Sequence, residues 1–233
     1  MTKKLVETEE ATPVAVAKKT KVKQEPKQPE QETRYKVKLA FTEDVLGSVP
    51  KNAEIYKNYI ESNKPPEQQE EEYKSIESVE ERGWTTFRCD ERGYFTYDYT
   101  IKGMFKELSH HLQVKGSIDI KGVKARISQF LFVYPRRIAF LNAKGKPIDK
   151  NTKLEVLERP LRVLGPMGER TCLARSDILP AGTQIEFEIV NEFPSLLTED
   201  YLNKVLARGE RLGWGQWRGS GAGRFVYKLE RIE

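Results

Sequence analysis

The amino-acid sequence predicts an α+β domain laid out as a strand, a helix, several strands, a second helix and a closing strand, the β-α-β-β-α-β scheme. Three observations carry that prediction. Tyr35, Val37, Leu39 and Phe41 alternate with polar or small residues, the period of a half-buried strand. Two later stretches repeat apolar residues at three- and four-residue spacing, Met104-Leu108-Leu112 with Phe105 beside them, and Leu202-Val205-Leu206, as amphipathic helices do. Phe225-Val226-Tyr227-Lys228-Leu229-Glu230-Arg231-Ile232 then reads as a last strand behind a run of glycines.

With 233 residues and 38 % hydrophobic content, the chain can bury a core if part of it stays outside. Residues 1–34 are that part. They are rich in Lys, Glu, Gln and Pro, hold no aromatic residue, and cannot offset the entropy of ordering a backbone, so a disordered charged tail is expected ahead of a domain over 35–233. The formal charge of +5 divides into +2 for 1–34, −4 for 35–80 and +7 for 81–233. The basic surplus travels with the glycine run, where an electrostatic footprint for nucleic acid would lie, although a generic Lys/Arg-rich surface gives the same count. Cys89 and Cys172 stand far apart with no CxxC spacing, which speaks against a zinc site and a disulfide framework, and no cofactor is indicated. No apolar run reaches the roughly 20 residues of a membrane span, and the first residues lack a signal peptide's apolar stretch. A cytoplasmic protein with no membrane partner is the expectation.

After the first strand, Leu46-Gly47-Ser48-Val49-Pro50 turns the chain, and residues 53–62 carry a short helical pattern that Pro65-Pro66 ends. Residues 67–82 open with Glu67, Glu70, Glu71 and Glu72 and space Tyr73, Ile76 and Val79 three apart, an exposed acidic helix. Its carboxylates read as a solvated face rather than a metal or acid–base site. Together these make an acidic helical insertion over about 42–82. The aromatic runs 83–89 and 93–97 flank Asp90-Glu91-Arg92 as a hairpin. The next helix runs from Thr100 to Leu112, with Thr100 or Lys102-Gly103 at its mouth, where free N–H groups and the dipole favour an anion. Residues 115–126, with Lys121, Lys124 and Arg126 among glycines, read as a mobile basic loop or small hairpin. Residues 127–134 and 138–141 read as strands around Pro135-Arg136-Arg137. Short strands fill 153–190, with turns at Arg159-Pro160, Gly165-Pro166 and Pro180-Ala181-Gly182, and with Ile185, Phe187 and Ile189 alternating. Thr198-Glu199-Asp200 caps a helix that ends near Gly209. A ferredoxin-like or RRM-like core with insertions fits this order.

The densest chemistry sits in Leu212-Gly213-Trp214-Gly215-Gln216-Trp217-Arg218-Gly219-Ser220-Gly221-Ala222-Gly223-Arg224-Phe225. Gly213, Gly215, Gly219, Gly221 and Gly223 let backbone N–H groups approach an anion. Arg218 and Arg224 offer bidentate phosphate contacts, and Trp214 and Trp217 offer stacking for unpaired bases, worth about 1–3 kcal/mol each. The alternative is a glycine-rich connection with both indoles in the core. No Gly-Lys-Ser/Thr closes the stretch as a Walker loop would, and a strand rather than a helix follows, unlike a dinucleotide fingerprint.

Two stretches resemble the repeat-associated RAMP superfamily, which includes backbone subunits of CRISPR effector complexes and their guide-processing relatives. Tyr99-Thr100-Ile101-Lys102-Gly103-Met104-Phe105-Lys106-Glu107 is similar to that family's proline-glycine-serine-serine-x-lysine-glycine helix start, with Tyr99-Thr100-Ile101 replacing the first part and Lys102-Gly103 in register. The 212–225 stretch is similar to its C-terminal glycine-rich loop. The tail and acidic insertion also resemble proteins carried by phages and prophages. The resemblance implies binding of single-stranded RNA, or of DNA, through Lys102, Gly103, Lys106 and the glycine loop, with the 115–126 loop clamping. It also implies self-association or other protein subunits.

His110 and His111 are the only histidines. Side by side on a helix they face about 100° apart and cannot form an i, i+4 metal pair. Some RAMP relatives cut RNA with histidine, which makes this pair the catalytic candidate, beside the reading of a helix-terminal surface pair. No Ser/His/Asp order or metal-ligand cluster appears elsewhere. A non-catalytic binding module is the expectation. The alternatives are a protein-interaction module with both tryptophans in the core, and a metal-independent endoribonuclease.

Overall fold

The computed structural model describes residues 31–51, 84–165 and 168–232. Most of the expected tail and both helices expected in the insertion lie outside these residues. The alternating segment forms β1 (Thr33–Phe41), with Tyr35, Val37, Leu39 and Phe41 all buried. Its partners are β11 (Gln184–Asn191) and β12 (Phe225–Arg231), both antiparallel. On the far side of β11 stand β7 (Leu131–Tyr134) and β8 (Arg137–Leu141), also antiparallel to it. Taking β7 and β8 as one strand, the sheet runs fourth, first, third, second in chain order, the ferredoxin-like arrangement. The predicted hairpin, β5 (Arg88–Asp90) and β6 (Gly93–Tyr97), extends the sheet beyond β8.

Helices α1 (Asp98–Val114) and α3 (Glu199–Leu212) pack on each other and on this sheet. Ile101, Phe105 and Leu108 meet Leu202, Val205 and Leu206 in one core with the inward side chains of β1 and β11. Thr198 caps α3 as expected, its hydroxyl accepting from the Tyr201 N–H at 3.2 Å. The opposite sheet face carries Lys36 beside Glu188 and Glu230, and Lys38 beside Glu186 and Lys228. Lys38 Nζ lies 3.1 Å from Glu186. No aromatic stands among these central pairs, but the register puts Phe132 and Tyr134 of β7 on the same face, opposite Val190 and Glu188.

A second, smaller sheet joins β2 (Val45–Leu46), β3 (Val49–Pro50), β4 (Trp84–Thr86), β9 (Glu155–Gly165) and β10 (Gly168–Leu179). Trp84 therefore leaves the predicted hairpin for another sheet. Arg159-Pro160, expected as a turn, lies in mid-strand, Arg159 opposite Ala174 and Pro160 opposite Leu173. Among the described residues β9 pairs on one side only, and an edge strand tolerates a residue without an N–H.

Three helix boundaries differ from expectation. α1 starts at Asp98, two residues before Thr100. The basic segment 115–126 is not all loop, because α2 (Val123–Phe130) begins within it after Gly122 at φ 66°, and β7 starts only at Leu131. Val123 and Ile127, one helical turn apart, are buried and anchor α2 on α1, which outweighs the β-prone run that follows. α3 runs past Gly209 to Leu212. A Cβ at Gly209 would lie 2.7 Å from the Phe225 ring and 3.1 Å from Leu108. That glycine serves close packing, not termination.

Tyr201, 3 % exposed, shares a 2.5 Å hydrogen bond with Ser109 between α3 and α1. Burial pushes its phenol up to about 12 from an ordinary 10. Between those values the folded protein keeps a proton that the unfolded chain has lost, so stability present below pH 10 declines as pH rises toward 12. Tyr201→Phe is expected to remove about 2–3 kcal/mol of that alkaline decline, while the lost Ser109 bond costs about 1 kcal/mol at neutral pH. Urea midpoints from pH 7 to 12 check both limbs. An alkaline limb identical to the parent's would contradict the assignment.

Candidate nucleic-acid interface

The glycine stretch is a loop closed at its neck. Gly213, at φ 82°, ends α3 with its N–H donating to the Gly209 carbonyl at 2.7 Å. The Trp214 N–H donates to the Gly223 carbonyl at 2.9 Å, and the Gly223 N–H to the Asp44 carbonyl at 2.8 Å. A Cβ would lie 1.9 Å from the Trp214 carbonyl oxygen at Gly223 and 2.6 Å from the Ala222 oxygen at Gly213, so the neck requires glycine at both positions. The tip is different. A short 3₁₀ turn spans Arg218–Ser220, and Gly219 has open space where a side chain would be.

The two indoles part company. Trp214 is 8 % exposed, with its ring centroid 6.0 Å from that of Phe41 and 5.9 Å from that of Phe140. It is a core residue, and the expectation that it stacks on a base is corrected. Trp217 is 44 % exposed and sits at φ 56°, a left-handed conformation uncommon for a bulky side chain. The Arg159 guanidinium lies 4.8 Å from its ring. Arg159 was hidden in an Arg-Pro pair with no pattern to mark it.

The arginines part likewise. Arg218 is already engaged with Glu107, Nη1 donating to Oε2 and Nη2 to Oε1, each at 2.8 Å, so it fastens the loop to α1 rather than standing ready for phosphate. Arg224 is exposed beside Gly221, with no ion pair among the described residues. Gly215 holds φ 92° and Gly221 φ 97°.

On α1, Tyr99, Gly103, Lys106 and His110 recur at four, three and four residues and form the stripe opposite the buried face. Lys102 and Glu107 flank it. Lys102 Nζ donates to the Ser128 carbonyl of α2 at 2.9 Å and lies 4.6 Å from the Phe132 ring. Burial and, next, the charge of Lys106 lower its pKa. Lys102-Gly103 thus occupies the second turn of α1, not its mouth. The mouth belongs to Asp98, whose carboxylate accepts from the Tyr99 N–H at 2.8 Å and pairs with Arg136 at 2.6 Å. The anion expected there is the protein's own. Lys121, Lys124 and Arg126 are exposed on and just before α2. His110 is exposed, whereas His111 is partly buried with Nδ1 out of water and unpartnered.

Sequence reasoning also missed an aromatic–arginine patch near the start of α1. Tyr97 and Tyr99 stack at 5.3 Å, the Arg136 guanidinium is 5.2 Å from the first ring and 5.5 Å from the second, and Arg88 lies 5.0 Å from Tyr97. A cleft of about 380 Å³ beside it is lined in part by Pro50, Arg88, Phe95 and Tyr97. Only the alternation of aromatics in β6 hinted at it. Among the described residues, no group of three or more His, Cys, Asp or Glu is placed to hold a metal ion, and no helix is long and apolar enough to cross a membrane.

No family model matches the sequence, and no curated protein matches it. Among solved structures, a chain of the cryo-EM structure of the type III-B Cmr-beta complex bound to cognate target RNA aligns with 87 % of this chain at 10 % identity and a TM-score of 0.47. This chain spans 61 % of that one's length. A chain of a type IV-B CRISPR complex aligns at 11 % identity and a TM-score of 0.46, covering 84 % of this chain and 90 % of its own length.

Proposed function

We propose that this protein binds single-stranded nucleic acid, RNA in preference to DNA, along the exposed stripe of α1 and the tip of the glycine loop, without catalysis and as a subunit of a larger assembly. The observation that carries the reading is the bidentate Arg218–Glu107 bond. It fastens the loop to the helix that bears Lys102, Gly103 and Lys106, across 111 residues of sequence. Two bare glycines, Gly103 and Gly219, then flank basic residues on neighbouring surfaces. A glycine inside a helix costs about 0.5–1 kcal/mol relative to alanine, and among the described residues nothing uses the space at Gly103. That space suits a sugar-phosphate backbone lying close to the helix, between the charges of Lys102 and Lys106.

Gly103→Ala is therefore expected to move stability and binding in opposite directions. Thermal denaturation should show a gain of about 0.5–1 kcal/mol. Anisotropy titrations with single-stranded RNA and DNA oligonucleotides over a salt series should show weaker binding. In the parent, log K should fall with log salt by about 0.7 per phosphate contacted. Unchanged affinity in both Gly103→Ala and Lys106→Ala, or no binding at low salt, would sink the reading. Cleavage that needs no metal and is lost in His110→Ala would turn it toward an endoribonuclease.

The patch of Tyr97, Tyr99, Arg88 and Arg136 favours a second reading, a protein-interaction surface, because aromatic rings and arginines dominate interface hot spots. Salt-tolerant self-association or capture of another subunit, lost in Tyr99→Ala, would mark it.

A further inference from the structure

Arg159 is 9 % exposed, yet among the described residues its Nε and Nη1 have no acceptor, and both lie out of contact with water. Its side-chain hydrogen bond among the described residues is long, Nη2 donating to the Gln216 Oε1 at 3.5 Å. No carboxylate among the described residues pairs with it, and burial pulls its pKa below the ordinary arginine value without removing the charge. A buried guanidinium without a counter-charge opposes folding, because one 3.5 Å hydrogen bond and the face of Trp217 replace only part of its lost hydration. The groups around it, an amide and two hydroxyls, can donate as well as accept. Gln216 also takes a 3.4 Å contact from the Thr85 hydroxyl, which is 2.9 Å from that of Ser176. Over the guanidinium stands the Trp217 ring, itself 44 % exposed and held at a positive φ.

We infer that Arg159, Gln216 and Trp217 form a phosphate-binding notch between the glycine loop and the small sheet, in which Arg159 takes one phosphodiester of the bound strand while the adjacent base stacks on Trp217. This rests on the nucleic-acid reading above and adds a site that the α1 stripe does not include. The two unfilled donors supply the charge-assisted hydrogen bonds an oxyanion needs, and arginine suits phosphate better than lysine does. Trp217 is the part of the cover that reaches solvent, and it moves aside as the strand enters.

The test uses the full chain, Arg159→Met, Arg159→Lys and, should the Met variant fail to fold, Arg159→Gln. A labelled single-stranded RNA oligonucleotide is titrated across a salt series, and each protein is melted without RNA. Removing an unpaired buried charge should raise the melting temperature of Arg159→Met. The same variant should bind RNA roughly tenfold more weakly, the loss expected for one charged contact, with a log K against log salt slope shallower by about 0.7. Arg159→Lys should keep the slope and part of the affinity. If the parent binds RNA and Arg159→Met matches it in affinity and slope, the notch is overturned while the nucleic-acid reading stands. A lower melting temperature and weaker binding with the slope unchanged would show Arg159 to be structural, and would also overturn it. If the parent binds no RNA at low salt, both fall together.

Discussion

Trp214→Ala is expected to destabilise the fold by about 3–5 kcal/mol, while Trp217→Ala keeps the fold and weakens single-stranded RNA binding by about 1–3 kcal/mol. The two residues are three apart in one loop, so the contrast depends on where each ring goes. Trp214 fills space between Phe41 of β1 and Phe140 of β8, and its removal leaves a cavity at the junction of the loop and the main sheet. Trp217 touches Arg159 and solvent, and truncating it exposes a charge rather than opening a void. Urea denaturation of both variants and RNA titration of Trp217→Ala check the pair. A tolerated Trp214→Ala would contradict its place in the core, and parental RNA affinity in Trp217→Ala would remove the stacking role.

Neither assignment could be drawn from the sequence, because a glycine-rich loop has no period to separate an inward from an outward position. Where a period exists, the sequence was legible. The alternation of β1 predicts its buried face residue by residue, Thr198 caps α3 as its type requires, and the 90–92 turn joins β5 to β6. Misreadings fell where tertiary packing overrode a local signal. Val123 and Ile127 commit to α1 and draw a basic, glycine-flanked segment into a helix. Gly209 looks like a stop until Phe225 is seen packed against it. Arg159-Pro160 looks like a turn until β9 is seen at a sheet edge, and with that misreading went the buried guanidinium. Arg218 looked like a phosphate ligand because its partner, Glu107, lies far away in sequence. Charge counting sees a cation but not the carboxylate that occupies it.

Asp177→Ala is the other change expected to cost about 3 kcal/mol or more, because it removes the buried acceptor of two charge-assisted hydrogen bonds worth about 1.5–3 kcal/mol each. Asp177 is 5 % exposed on β10 and accepts from the Trp84 indole N–H at 2.8 Å and the Thr86 hydroxyl at 2.5 Å, with Lys51 Nζ at 3.8 Å. Alanine would strand both donors and, among the described residues, leave the Lys51 ammonium with the Trp84 ring, 3.5 Å away. Among the described residues the ladder between β4 and β10 pairs Trp84 with Arg175 and Thr85 with Ser176, and these side-chain bonds help to hold β4 in register. Thr85 in turn contacts Gln216 in the glycine loop. Charge and geometry therefore predict opposite effects on RNA binding. Removing an acid should strengthen attraction for an anion, whereas loosening β4 should misplace Gln216 beside Arg159. Asp177 lies behind Trp84 and Thr86, so the geometric effect is expected to win and RNA affinity to fall. Hydrogen exchange across 84–86 and an RNA titration of Asp177→Ala check this at temperatures where the variant is folded. Faster exchange with weaker binding would tie the small sheet to the loop, and tighter binding would show that the loop keeps its shape without that support.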